Sequence, residues 1–481
     1  MIDGLRKLSE SIKQDMTSKK KTITFLFLLF FIICDTKAQE AEELNNESKS
    51  LYPALLGGLF TNTLFHLTSR LFGADFAQTD LESIKTNLTS PWIWDNDVFL
   101  LNNPGHAYQG GWYHAAARAN GFNFYESIFF DALGSLTWEL FAETDIPSLN
   151  DLVVTTLGGA AFGEMLHRLF LEIGSPWAAT LVSPIDTFNG AVWKRKPQRT
   201  YNIYYLTVMS GPGWTKAIKE NKEQLKDLSK NNIDPASSSI YTGNISCDVI
   251  YGNPFTNDSA KPYSQFEIKM QIGFTFSPLW LDWTILTDGY LFSFNPLYTE
   301  KNMLSTGLTL HYDSITGNNI NFASNALDWT IKWRKKIKTT YLELKTHFGW
   351  TIFGSSEYYP YSETNDMNLY SNKTENDFGT GGNLKIYFTI QTQKYGKLTL
   401  SACNYLLYII PWNKPDSQGI EFFNLSFLEY SFPFAENFSL FVNSSLYLKS
   451  GNSRRKNDVV SIADRIILGI QWTFLDKGNS W

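Results

Sequence analysis

The sequence predicts an α+β membrane protein: an N-terminal helical domain followed by an antiparallel transmembrane β-barrel of about 12 strands. Three observations predict this class. They are an export signal near the N-terminus, a change from helical to alternating sequence near residue 200, and connections of alternating length near the C-terminus. They divide the chain into a signal peptide (residues 1–38), a helical domain (residues 45–198) and a barrel (residues 200–481).

The composition narrows the class of partner. Aromatic residues make up 16% of the chain, charged residues make up 18%, and the formal net charge is -6. Tyr and Trp in such numbers suit the boundary between water and lipid, where a ring can be half apolar and half wet. A mild acidic excess without a basic stripe leads us to expect no nucleic-acid partner.

A signal for export lies near the N-terminus. A run of lysines ending at Lys21 precedes the apolar stretch from Ile23 to Cys34, and small residues follow at the positions that a signal peptidase reads. This stretch is too short to span a bilayer as a helix, so we predict cleavage before Gln39.

The region before residue 200 is typical of helices, with frequent Ala, Gly and Leu from Tyr52 to Lys196. Ser148 with Asp151 resembles a helix capping box, which predicts a helix that starts near Leu149 and reaches at least His167. Small residues recur every four positions after this cap: Asp151, Thr155, Gly159 and Gly163. Such a stripe favours close packing against another helix or a substrate.

After residue 200, apolar and polar residues alternate. In QFEIKMQIGFTF the apolar residues lie at every second position, which is the pattern of a strand with one oily and one wet face. We expect the apolar face of this strand to contact lipid: Phe266, Ile268, Met270, Ile272 and Phe274. About twelve such runs of roughly ten residues occur, which is the length that a tilted transmembrane strand requires.

The connections between the later runs support a barrel. The short KKIK is followed by the long GSSEYYPYSETNDMNLYSNKTENDFG and then by the short QKYGK. Short periplasmic turns that alternate with longer external loops are typical of outer-membrane barrels, whose chain ends both lie on the periplasmic side. A soluble sandwich would not carry unbroken apolar faces on its exposed side.

The last run, RIILGIQWTF, is interpreted as the strand that closes the barrel. It carries Leu468, Ile470, Trp472 and Phe474 at alternate positions, which predicts an apolar stripe that faces lipid. Together with Gly469 it also resembles the C-terminal targeting signal of outer-membrane proteins, Gly-x-x-aromatic-x-aromatic. The resemblance implies recognition by the barrel-assembly machinery through this strand.

The side chains that could carry chemistry are concentrated in the helical domain, which holds four of the six histidines. The candidate site residues are His106, His114, Arg118, Glu139, Asp151, Glu164 and His167. A functional interpretation makes His106 or His114 a general base, or a phosphate binder with Arg118, whereas the alternative is a helix entrance held by buried hydrogen bonds. We expect at least two close pairs in the set, and for a base we expect His114 with Glu139 as its orienting partner.

A metal site is considered and set aside. Glu164 and His167 have the Glu-x-x-His spacing of a helical di-iron site, but such a site needs a second copy and two further carboxylates. The sequence contains no second copy, no Walker loop, no nucleophile elbow and no zinc-protease helix. We therefore predict no metal and no cofactor.

Three motifs carry a family resemblance: NPGHAYQGGWYHAAARANG, GSLTWELFAE and PSLNDLVVTTLGGAAFGE with the adjoining HRL. They resemble an uncharacterised, domain-of-unknown-function family of Gram-negative outer-membrane β-barrel proteins with an N-terminal helical domain. The resemblance covers residues 95 to 190. It implies the fold and the outer membrane, and it implies no activity.

Two functional hypotheses follow. The first is a non-enzymatic outer-membrane protein whose helical domain packs beneath the barrel mouth on the periplasmic side as a plug or scaffold. The second is an enzyme that modifies or hydrolyses outer-membrane lipid or lipopolysaccharide, with the seven candidate residues lining one cleft. Convergence of these side chains on a water-accessible pocket would favour the enzyme, and separate pairs inside helix contacts would favour the structural role.

Overall fold

Helices precede strands along the chain, as the sequence predicts. The computed structural model describes residues 49–95, 99–194, 200–219, 239–255, 259–276, 279–317, 320–358, 375–411, 418–453 and 459–477. The signal peptide predicted for residues 1–38 lies outside these ranges.

The described part of the helical region contains seven α-helices: α1 (Leu51–Leu71), α2 (Leu81–Thr89), α3 (His106–Arg118), α4 (Phe124–Phe141), α5 (Leu149–Glu172), α6 (Pro176–Val182) and α7 (Pro184–Trp193). A π-helical turn, Leu101–Gly105, leads into α3. Helix α5 begins where predicted, because the Ser148 side chain accepts a hydrogen bond from the backbone N–H of Asp151. None of the helices in the described ranges is long and apolar enough to cross a membrane.

Twelve antiparallel strands follow: β1 (Ile203–Lys219), β2 (Ser239–Tyr251), β3 (Phe266–Phe276), β4 (Leu279–Tyr298), β5 (Asn302–Gly317), β6 (Ile320–Ile337), β7 (Thr340–Tyr358), β8 (Glu375–Thr392), β9 (Gly396–Ile409), β10 (Gly419–Ala435), β11 (Phe438–Ser453) and β12 (Val459–Asp476). Each strand pairs with its neighbours in the chain, and β12 pairs with β1 to close the barrel. The prediction of a closed barrel of about twelve strands is confirmed.

The last strand closes the barrel as expected. The register of β12 against β1 runs from Asp476 beside Tyr205 to Ile462 beside Lys219. The alternate residues of β12 are exposed on the outer surface: Leu468, Ile470, Trp472 and Phe474. This is the apolar stripe predicted from the alternation.

Contacts across the barrel identify the face that lines the lumen. Glu267 of β3 accepts hydrogen bonds from Lys332 of β6 at 2.7 Å and from Lys345 of β7 at 2.6 Å. These strands are not neighbours of β3, so the side chains meet across the lumen. Because successive residues of a strand point to opposite faces, Phe266 and Ile268 point outward, as predicted.

Side chains of the barrel itself fill much of the lumen. One part holds an apolar cluster of lumen-facing residues, among them Leu286, Ile315, Phe322, Tyr405, Leu407, Phe423 and Tyr447. Another part holds charged pairs between distant strands, such as Lys269 of β3 with Glu429 of β10 at 2.7 Å. A cavity of about 110 Å³ remains among these charged groups.

The helical region packs against the outer wall of the barrel. One buried apolar cluster joins both parts: Ala107, Phe124, Ile128, Val154, Ala160, Ala161 and Met165 from the helical region, and Val249, Tyr251, Phe266, Ile268, Leu291, Leu310, Tyr312, Phe353 and Phe378 from strands β2 to β8. The strand residues of this cluster alternate with lumen-facing residues and therefore point outward. The described contacts place the helical domain beside the wall, so the predicted position beneath the barrel mouth is wrong.

Specific contacts fix this arrangement. The amide of Asn103 in the π-helical turn donates to the hydroxyl of Ser355 on β7 at 3.0 Å. The ring of Trp94 lies 5.9 Å from the ring of Phe353 and 5.4 Å from that of Phe378. Aromatic pairs at such distances contribute beyond the area they bury.

The packing also corrects one expectation for β3. Phe266 and Ile268 face outward as predicted, but the helical region covers them, and the exposed fractions of their surfaces are only 1% and 8%. They therefore contact helices instead of the lipid that the alternation alone suggested.

Candidate functional site

Helices α3 and α5 cross at backbone contact, which positions the candidate side chains. A Cβ atom added to Gly159 would lie 2.6 Å from the carbonyl carbon of Gly110, and one added to Gly163 would lie 2.7 Å from the Cα of Gly111. Glycine is required on both sides of so close an approach. The predicted small-residue stripe is therefore the contact surface of α5 with α3.

Next to this crossing lie five ionisable side chains, which we call the His114 cluster: His114, Arg118, Asp131, Glu164 and Arg168. The ring of His114 lies between two carboxylates, with Nδ1 2.8 Å from Asp131 Oδ2 and Nε2 3.1 Å from Glu164 Oε2. Glu164 also accepts from Arg118 Nε at 2.7 Å and from Arg168 Nε at 2.8 Å. Buried charges are tolerated when they are paired in this way.

The environment sets the charge of the ring. Burial alone disfavours a charged imidazole, but Asp131 and Glu164 outweigh it and raise the pKa of His114 to about 9. Burial raises the pKa of Asp131 to about 7, against the opposing influence of His114. Burial would also raise the pKa of Glu164, but Arg118 and Arg168 hold it well below its usual value. His114 is thus a cation at neutral pH and not a free base.

Arg168 connects the cluster to the barrel. Its Nη2 donates to the backbone carbonyl of Pro262, which lies between β2 and β3, at 2.9 Å. Its guanidinium carbon lies 5.8 Å from the centre of the Tyr251 ring on β2, within the range of a cation–π contact. The same group that neutralises Glu164 therefore fastens α5 to the wall.

A second group of candidates surrounds His106 at the start of α3. Its Nδ1 lies 3.1 Å from Thr155 Oγ1, and its Nε2 lies 3.5 Å from Asp151 Oδ1. Burial lowers the pKa of His106, and burial with the nearby Asp95 raises that of Asp151. Both shifts disfavour the charged form of the group concerned.

The remaining candidates have other partners. Glu139 Oε2 accepts from the backbone N–H of Ser148 at 2.8 Å, just before α5 begins. His167 Nδ1 lies 2.8 Å from Asp186 Oδ1, and the other oxygen of Asp186 accepts from the hydroxyl of Ser183 at 2.6 Å. Each of these contacts joins two segments of the helical region.

The expectation of close pairs is confirmed, and one expected partner is wrong. His114, Arg118 and Glu164 come together, and so do His106 and Asp151. Glu139, the expected orienting partner of His114, bonds to a helix start instead, while Asp131 and Glu164 hold the ring.

Among the described residues, the candidate side chains form neither a shared cleft nor a di-iron arrangement. Within the described ranges, the seven candidates divide among four separate contacts, and no group of three or more His, Cys, Asp or Glu residues could hold a metal ion. Glu164 and His167, despite their spacing, have different partners.

Sequence reasoning missed Asp95, Asp131 and Asp186. A signal for Asp131 was available, because it is an isolated charge in the apolar run IFFDAL of α4, and such a charge requires a partner. Asp95 lies among Trp and Pro residues in a segment without a helical pattern. Asp186 lies in the first turn of α7, where an acidic residue is expected at a helix start and indicates no partner on α5.

Comparisons with known proteins agree with this division of the chain. Residues 91–186 match the family model "Domain of unknown function (DUF3943)", which covers α3, α4 and α5. No curated protein matches the chain. Together with the closed barrel, this match defines an outer-membrane-type β-barrel protein that carries a DUF3943 domain in its helical region.

Several solved outer-membrane structures resemble the chain in fold. Outer membrane phospholipase A from Escherichia coli is 11% identical, with a TM-score of 0.28, and the match covers 56% of this chain and 98% of that one. The Pseudomonas putida toluene transporter TodX is 7% identical, with a TM-score of 0.21 and coverage of 57% and 89%. The outer membrane channel DcaP of Acinetobacter baumannii is 8% identical, with a TM-score of 0.22 and coverage of 57% and 96%. At these identities the likeness concerns the barrel fold alone.

Proposed function

We propose that this chain is a non-enzymatic outer-membrane scaffold that carries a helical domain on the lipid-facing side of its barrel. The proposal rests on one observation: the candidate side chains already bond to other groups inside the protein. Among these contacts, the His114 cluster attaches α5 to the outer wall through Arg168. His114 and Glu164 are fully buried, so neither is placed to meet a substrate.

The lumen supports the same proposal. An apolar cluster and charged pairs between distant strands occupy it, and the cavity of about 110 Å³ among them is small beside the roughly 300 to 1,000 Å³ of typical ligand sites. We therefore assign the lumen a structural role and place the exposed functional surface on the helical domain. In this proposal the domain lies against the part of the wall nearer the periplasm, and the barrel-assembly machinery recognises β12.

A pair of cysteines tests the lateral position in intact membranes. In a Cys247→Ser, Cys403→Ser background, Asn103→Cys is combined with Ser355→Cys, whose side chains are in direct contact in the native protein. The matched control replaces Ser355→Cys by Ser356→Cys. Ser356 is the next residue on β7, and it faces the lumen, where it bonds to Glu421.

We expect oxidation, or a short thiol cross-linker, to join residues 103 and 355 and not residues 103 and 356. The product is detected as a species of altered gel mobility that reverts on reduction. Equal joining of both pairs, or joining of the 356 pair alone, would contradict the lateral position and with it the proposed function.

A further inference from the structure

Helix α1 has an apolar surface that its neighbours leave uncovered. It packs on α3, α4 and α7. Seven of its leucines nonetheless remain exposed: Leu51, Leu55, Leu56, Leu59, Leu64, Leu67 and Leu71. An apolar surface of this extent indicates an interaction site.

A groove of about 450 Å³ runs between α1 and α4. Most of its wall consists of apolar side chains of the two helices: Leu55, Leu59, Leu67, Phe130, Leu133 and Phe141. Thr63 and His66 also line it and bond to the backbone carbonyls of Leu59 and Ala142, and Asn62 and Thr137 complete the polar part of the lining. The volume lies within the range of roughly 300 to 1,000 Å³ that is typical of small-molecule sites.

Two glycines create the space. A Cβ atom on Gly134 of α4 would lie 2.5 Å from the ring of Tyr113, so only glycine allows that ring to form the floor. A Cβ atom on Gly58 of α1 would have Tyr113 as its nearest neighbour, at 4.0 Å. A larger side chain at residue 58 would therefore extend into the groove without striking the backbone.

The polar atoms of the floor have partners within the protein. The Tyr113 hydroxyl accepts from Gln109 at 2.7 Å and donates to Asn62, whose amide donates to the carbonyl of Gly134 at 3.2 Å and to Thr137 Oγ1 at 3.0 Å. A ligand that fits here needs apolar surface and does not need hydrogen-bonding groups.

From these observations we infer that the groove between α1 and α4 binds an acyl chain of a membrane phospholipid. The inference rests on the proposed lateral position, because the helical domain stands on an outer wall whose uncovered strands present Leu, Ile, Trp and Phe to lipid. Because the helical domain takes the place of lipid on this wall, we expect its own apolar surface on α1 to face the surrounding lipid. A single groove of this size suits one chain of a two-chain phospholipid better than the many-chained anchor of lipopolysaccharide.

Photolabelling of the full-length protein tests the inference. The protein is reconstituted in vesicles of phosphatidylethanolamine and phosphatidylglycerol that contain a phosphatidylcholine with a diazirine in one acyl chain, and labelled residues are located by mass spectrometry. We expect label on Leu59 and Leu133 in the groove in excess of label on Leu56, which is exposed on α1 and is not part of the groove.

A Gly58→Leu variant should lower groove labelling roughly tenfold, because the new side chain takes the space of the acyl chain. Gly58→Ala is the matched control, since it removes the same glycine from α1 but adds only one methyl group, and it should label as the native protein does. Labelling of Leu468 and Ile470 on the barrel should be equal in all three proteins.

Four results would overturn the inference. The first two are groove labelling no higher than that of Leu56 and groove labelling unchanged by Gly58→Leu. The other two are loss of label when lipopolysaccharide, but not unlabelled phospholipid, is added as a competitor, and a cross-link between the groove and residues 39–48, which would mean that the chain itself fills the groove. The cysteine pair at residues 103 and 355 reports the lateral position separately. Joining of that pair without groove labelling would reject the acyl-chain site and leave the scaffold proposal standing.

Discussion

Strands β3 and β12 carry the same alternation of apolar and polar residues but have different surroundings. On β3 the helical region covers Phe266 and Ile268, which are 1% and 8% exposed. On β12 the corresponding residues Leu468 and Ile470 are 55% and 51% exposed. Alternation thus predicts which face points away from the lumen, and it does not predict what covers that face.

The covered wall is more than an oily surface beneath a domain. The His114 cluster reaches it through Arg168, which bonds to Pro262 and lies over Tyr251. The wall of β12 has no such attachment within the described ranges. Changes that weaken the cluster should therefore loosen the helical domain and expose the covered wall as the wall of β12 is exposed.

The largest expected effect comes from Glu164→Gln. This change keeps the shape of the side chain but leaves His114, Arg118 and Arg168 without their shared carboxylate. We expect the free energy of unfolding to fall by about 3 to 5 kcal/mol, since breaking a buried ion pair leaves uncompensated charge. Unfolding in detergent is the measurement, and the yield of the disulfide between cysteines at residues 103 and 355 should fall with it.

Glu126→Gln is the control for Glu164→Gln. Glu126 pairs with Lys49 at 2.7 Å near the surface, and Gln can replace Glu in the capping box it forms with Asn123. A loss of about 1 kcal/mol or less is expected for such a pair. Similar losses in both variants would refute a special role for the cluster, and normal stability with altered envelope lipids would favour an enzyme.

A smaller effect should follow pH. Because the folded pKa of His114 is raised to about 9, above the ordinary value of about 6.5, its contribution to stability is fully present below pH 6.5 and is lost as pH rises through 9. The raised pKa of Asp131, about 7, acts in the same direction at lower pH. Between pH 6.5 and pH 9 we expect the free energy of unfolding to fall by up to roughly 1.4 kcal/mol per pH unit.

Thermal unfolding from pH 6 to pH 9 measures this dependence, and His114→Gln provides the comparison. The variant should be less stable at pH 6 and should show a shallower decline toward pH 9. A parallel decline in both proteins would assign the pH dependence to other groups.

The smallest expected effect compares the two walls directly. Ile268→Val removes one methyl group beneath the helices and should cost about 0.5 to 1.5 kcal/mol, as buried Ile to Val changes do. Ile470→Val makes the same change on the bare wall and should remain within about 0.5 kcal/mol of the native protein. Equal costs in detergent would indicate that the helices do not pack on β3 in solution.

Most of the fold follows from local patterns in the sequence. The alternation around Ile268 specifies a strand and its faces, and Ser148 marks the start of α5 through its side-chain oxygen. Gly159 and Gly163 indicate a close helix contact because only small residues permit one. The partner wall could not be predicted, since strands that face lipid and strands that face helices have the same apolar alternation.

The candidate site was less accessible to prediction for a related reason. The spacing of His114 and Arg118 places both on one face of α3, but the choice between Glu139 and Asp131 as the partner of His114 depends on how α3 crosses α4. That crossing depends on Gly134 of α4, which meets the ring of Tyr113 on α3, a contact between residues far apart in the sequence. The number of charged residues in an apolar region thus predicts that they must pair. Which residues pair depends on the tertiary structure.

The ion pairs inside the lumen have a mechanical consequence. Lys269 joins β3 to β10, Glu267 joins β3 to β6 and β7, and Arg465 of β12 pairs with Asp282 of β4. These pairs act as internal struts, because flattening the tube would separate opposite charges in a medium of low dielectric constant. A barrel held by such pairs keeps a constant curvature, so the wall on which the helical domain packs stays rigid.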